Sequence, residues 1–148
     1  WTGFLGYGWL PIYGATPATE HRVWQQVQWE PRTKGYVLRL RGRLEERHVP
    51  GAQGLSYRAS LAPGLIYFID DKSEWGAVLE ESFSFNLNAP VGAPLAGYDE
   101  NRILLGAQWK ANHQVRLQSG YLWNTLAAPL STGESQHHIF AFSIHVGL

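Results

Sequence analysis

The 148 residues are expected to form a single domain, 1–148, with enough chain to close a core or a barrel. Lys plus Arg and Asp plus Glu each number 12, so no long-range field favours nucleic acid, and no run of like charge forms a binding tail. The absence of cysteine excludes disulfides and thiolate metal sites, and no stretch approaches the ~18 apolar residues of a membrane-spanning helix.

In chain order, eight segments carry large apolar residues at every second position, the period of a β-strand: 1–13, 20–30, 35–48, 55–69, 74–88, 98–110, 113–126 and 135–148. Between them stand "GATPAT", "PRTK", "VPGAQG", "DDKS", "APVGAPLAG", "AN" and "AAPLSTGE", all of it turn chemistry. No segment reads as a helix. The connections alternate in length: six, six, nine and eight residues at one end of the strands, against four, four and two at the other. Tight turns at one end and longer loops at the other are the arrangement of an outer-membrane barrel. The expected fold is therefore all-β, an antiparallel up-and-down transmembrane β-barrel of about eight strands. The first residue is Trp1 and methionine is absent, which suggests a processed or trimmed product.

The third segment, "YVLRLRGRLEER", shows the two faces most sharply, with Tyr36, Leu38, Leu40 and Leu44 alternating against Arg39, Arg41, Arg43 and Glu45. The apolar phase of all eight segments holds 16 of the 20 aromatic residues. Such a load would overfill the interior of an eight-stranded barrel, as a soluble carrier with an apolar cavity would require. The apolar face is therefore expected to point into lipid, with Trp9, Trp29, Trp75, Phe83, Phe85, Trp109, Trp123, Phe140 and Phe142 upon it and many aromatics near strand ends as girdles. The opposite face then fills the lumen with an interlocked polar network: Arg39, Arg41, Arg43, Glu45, Arg58, Glu80, Arg102, Gln108 and Arg116, with Gln28 and Glu30 in support. Glu81 breaks the pattern, falling by parity on the lipid face between Leu79 and Phe83.

The phrases "GYGWLPIYG", "EHRVWQQVQW", "RLRGRLEER", "EESFSFNLN", "ENRILLGAQW" and "QSGYLWN", in that order, resemble the bacterial family known as domain of unknown function 2490. The resemblance covers nearly the whole chain and implies an outer-membrane β-barrel of a Gram-negative envelope, but no reaction. It also implies a signal peptide and further strands ahead of the first phrase, so that either the eight strands close on themselves or upstream strands belong to the same barrel. Leu148 stands where such barrels commonly end in an aromatic residue.

For catalysis, Ser143 and His145 share one face of the last segment, which makes a lipid-modifying barrel enzyme the alternative reading; as lumen filling they need no reaction, and no catalytic residue is assigned. His137 and His138 are adjacent and point to opposite faces of a strand, so joint metal binding is awkward, and no metal or other cofactor is expected. The expected partners are membrane lipid or lipopolysaccharide and an envelope protein, in a structural or scaffold role; a soluble carrier and, with further strands, a pore are the remaining alternatives.

Overall fold

In the computed structural model, residues 1–12, 18–69, 72, 74–127 and 135–146 are described, the side chains of 12, 145 and 146 excepted. Eight strands run in sequence order: β1 (Thr2–Ile12), β2 (Ala18–Trp29), β3 (Tyr36–His48), β4 (Ser56–Phe68), β5 (Trp75–Asn86), β6 (Gly97–Lys110), β7 (Val115–Leu126) and β8 (Ser135–Val146). Each pairs antiparallel with the next, giving one sheet of order β1-β2-β3-β4-β5-β6-β7-β8. No strand bound departs from the expected segment by more than two residues. The chain is all-β, as its period-2 pattern dictates.

Two expectations need correction. The sheet curls into a half-barrel and does not close: among the described residues β1 and β8 share no ladder. Alternation specifies the faces of strands, but whether the two outermost strands meet depends on curvature, which the pattern does not encode. Loop sorting is also weaker than expected, because β2 begins at Ala18, inside the expected "GATPAT" turn. The intervals 49–55, 87–96 and 127–134 at one end still exceed 30–35, 69–74 and 111–114 at the other, but 13–17 does not.

The curl separates a concave from a convex face. On the concave side a small core of Val37, Ile66 and Val78, with Phe68 against it, sits near the short-turn end. Gly106 and Gly120 oppose each other across β6 and β7 in the concave phase. A Cβ on Gly106 would lie 2.8 Å from the Gly120 Cα, so only glycine lets these backbones approach so closely on the inside of the bend.

One irregularity matters for the chemistry. The β5–β6 register shifts between Ser84 and Phe85, so that Asn86, Phe85 and Ser84 face Gly97, Tyr98 and Glu100, and Asp99 is the extra residue of a β-bulge.

Candidate functional site on the concave face

The alternation of β3 delivers Arg39, Arg41, Arg43, Glu45 and Arg47 to the concave face, and its ladders set carboxylates beside them. Near the long-loop end, Glu20 of β2 accepts from Arg22 Nε at 2.7 Å and from Arg47 Nε at 2.6 Å. Arg47 reaches Asn86 at 3.4 Å, and Asn86 Nδ2 donates to Asp99 at 2.9 Å. The centre is Glu45, whose Oε2 lies 2.9 Å from both Nε and Nη2 of Arg58, and whose Oε1 lies 3.4 Å from Arg43. Arg22 approaches the same carboxylate at 3.8 Å and so joins this tier to the Glu20 tier.

The bulge lets two consecutive carboxylates serve one guanidinium. Asp99 and Glu100 stand 3.1 and 3.7 Å from Arg58 Nη1, whereas regular alternation would send one of them to the other face. Glu100 also holds Arg102 at 2.8 Å. Arg43 is fixed from the β2 side by two hydrogen bonds to Gln26, at 3.0 and 2.7 Å, and lies 4.4 Å from the centroid of the Trp24 ring. Trp24 in turn lies over Gly6, where a side chain would collide with the indole.

Toward the short turns, Glu80 takes Arg41 at 2.7 Å and Arg39 at 3.6 Å, and Glu30 takes Arg39 at 3.5 Å, Arg32 at 2.9 Å and Gln28 at 2.6 Å. Burial raises the Glu30 carboxyl, but the guanidiniums of Arg39 and Arg32 and the Gln28 and Arg32 hydrogen bonds outweigh it and hold it below the ordinary carboxylate value. A polar cavity of about 250 Å³, floored by Ser60, Ser82 and Ser84 and walled by Arg41, Arg43 and Arg102, lies within the network.

Seven of the nine residues expected in a polar network, Arg39, Arg41, Arg43, Glu45, Arg58, Glu80 and Arg102, are joined by these contacts. Gln108 is buried on the same face but beside the apolar core, and Arg116 makes no ion pair among the described residues. Glu20, Arg22, Arg47 and Glu100 were not expected there. All four were legible by parity, being in phase with Gln26, with Arg43 or with Arg102. Asp99 was not, because the bulge resets the phase there.

The nine aromatics expected on the apolar face all fall in the convex phase, and eight are exposed while Phe83 is half-buried. They group by height. Trp1, Trp29, Tyr36, Tyr67, Trp75 and Trp109 line the short-turn end, with Trp75 stacked on Trp109 at 5.7 Å. Trp9, Tyr57, Phe85, Tyr98 and Trp123 run along the other, Phe85 edge-on to Tyr98 at 6.1 Å. Between the belts lie aliphatic residues such as Leu61, Leu65, Leu79 and Leu105. Tyr98, which by sequence parity falls in phase with Arg102, is brought to this face by the bulge.

Glu81 does sit in the convex phase, half-buried, and accepts from Asn101 Nδ2 at 3.1 Å. Ser143 is half-buried on β8 opposite Gln118, while the His145 side chain lies outside the described residues. His138 stacks on Trp123 and hydrogen-bonds the Tyr121 hydroxyl on the convex face, whereas His137 is paired with Asn124 in the concave phase.

Residues 1–131 match the model of a family described as "Protein of unknown function (DUF2490)", and the chain belongs to that family. No curated protein and no solved structure gives a significant match.

Proposed function

We propose that this member of the DUF2490 family forms part of the wall of a bacterial outer-membrane β-barrel, its convex face in lipid and its ionic network lining the interior, with a structural or scaffold role. The observation that carries this reading is the slope of the aromatic belts. Trp29 pairs with Leu40, and the belt on β3 is at Tyr36, four residues nearer the turn; Tyr36 pairs with Tyr67, Tyr67 with Ala77, and the belt on β5 is at Trp75, two residues nearer again, facing Trp109. The belt thus drifts six residues over the four steps from β2 to β6.

At ~3.3 Å per residue and ~4.8 Å between strands, that slope corresponds to strands tilted about 45° from the normal to the belt. Transmembrane strands tilt by about that much. On β5 the belts at Trp75 and Phe85 are ten residues apart, or roughly 23 Å in height at this tilt, against an apolar band of about 25 Å in outer-membrane barrels. A soluble carrier requires the apolar phase inside, and here it is the exposed face.

Within a bilayer the bare edges of β1 and β8 must find strand partners, since unpaired backbone groups are excluded from hydrocarbon. A barrel completed in this way is wider than eight strands, which favours a pore as the second reading. Lipid or lipopolysaccharide is then the partner of the convex face, and an envelope protein is the partner expected of a scaffold. No reaction is needed to explain any concave-face residue. Purification with and without detergent tests the reading. Aggregation in its absence, with a compact band on gels that shifts on boiling, is expected; a monodisperse protein in plain buffer would defeat it. Single-channel conductance in planar bilayers separates the pore from the scaffold.

A further inference from the structure

Beyond the central network, the short-turn end of the concave face holds a second, smaller cavity of about 130 Å³. It is lined by Arg116 of β7, Lys110 at the end of β6 and Arg32 of the β2–β3 connection, together with Thr33, Gln108, Val37, Ile66 and Phe68. Three cationic residues from three parts of the chain therefore line one cavity.

Two carboxylates at this end are already shared among arginines. Glu30 is shared by Arg32 and Arg39, and Glu80 by Arg39 and Arg41. Arg116 makes no ion pair among the described residues, although it lies within electrostatic range of Arg32 and Arg39 as well as Glu30. Placing guanidiniums together without a counter-charge is unfavourable, and an anion held in the cavity relieves it. The donors suit one kind of anion. A guanidinium fork, an ammonium, an amide and a hydroxyl match a tetrahedral oxyanion with several acceptor oxygens, and the apolar floor takes the ester side of such a group.

We propose that this cavity is a binding site for a phosphate group, free or carried by a larger molecule. The test is titration calorimetry of the folded protein with inorganic phosphate at constant ionic strength, in whichever medium, detergent or plain buffer, keeps it monodisperse, so that the membrane reading and the site stand or fall separately. One saturable site is expected, weakened at least about tenfold in Arg116→Gln and Lys110→Gln, while Arg116→Lys, which keeps the charge but loses the fork, weakens it less than Arg116→Gln. Lys72→Gln removes the same charge from an exposed turn outside the cavity and is expected to change binding less than twofold. Should Arg116→Gln fail to fold, the Lys110 and Arg116→Lys variants still decide the matter. Phosphatidic acid in mixed micelles binding far more tightly than inorganic phosphate identifies a lipid headgroup, and equal affinity identifies a free solute; either supports the site. Absence of saturable binding at millimolar phosphate, or equal weakening by Lys72→Gln, overturns it.

Discussion

Replacing Glu45 by glutamine tests whether the concave network holds the sheet together. The side chain is 3% exposed and meets Arg58 through two contacts at 2.9 Å, with Arg43 and Arg22 farther out. For charge centres about 4 Å apart at an effective dielectric constant of about 20, the Arg58 attraction alone is worth about 4 kcal/mol. Part of this is offset, because glutamine is cheaper to desolvate and Arg58 keeps Asp99 and Glu100. The expected loss is therefore about 3 kcal/mol, at the low end of the 3–5 kcal/mol typical of breaking one side of a buried pair. In a domain of this size, each kcal/mol moves the thermal midpoint by roughly 2–4 °C, so a drop of about 6–12 °C is expected by tryptophan fluorescence. The paired change Glu45→Leu with Arg58→Met should recover only part of it, since Glu100 keeps Arg102 but Asp99 is left with the Asn86 hydrogen bond alone. A loss under about 0.5 kcal/mol in Glu45→Gln, the range of ordinary surface substitutions, would refute the idea that the network bears load.

Three further outcomes are expected. Glu30 is held below the ordinary carboxylate value by Arg39 and Arg32, so its contribution is present above the unfolded value near pH 4.3 and disappears as the pH falls through its lower folded value; Glu30→Gln should lose less stability than the parent between pH 5 and 2, as read by thermal midpoints. Gly106→Ala places a Cβ against Gly120 and should cost about 1–3 kcal/mol in chemical unfolding, whereas Gly3→Ala, with open space around its Cβ, should be near neutral. Leu105→Arg, in the middle of the convex aliphatic band, should cost about 2–4 kcal/mol for protein folded in bilayers.

Much of this arrangement is readable before any coordinates. The period of 2 fixes the strands, and the phase of "YVLRLRGRLEER" fixes which face of the sheet carries charge, because a strand has only two faces to offer. What escaped reading depends on single departures from that period. The extra residue at Asp99 reverses parity toward the start of β6, hiding Asp99 from the network and Tyr98 from the aromatic belt. Trp24 was hard to place for another reason: a large indole fits the polar face only because Gly6 leaves room for it. Closure is decided by curvature and by what pairs with the edges of β1 and β8, and neither is written in the alternation. Arg116 carries the same parity signal as Arg58, yet parity cannot tell that β7 brings it to the β2–β3 connection instead of to a carboxylate.

The lipid-facing assignment is tested most directly by spin labelling, which the absence of cysteine makes clean. Single cysteines at Leu65, Leu79 and Leu105 sample the middle of the convex band, and at Trp75, Trp109 and Phe85 its two borders. In vesicles, collision with oxygen should exceed collision with a water-soluble nickel chelate at the three central sites and fall toward both belts. High nickel access at Leu65, Leu79 and Leu105 would place that face in water and contradict a transmembrane wall.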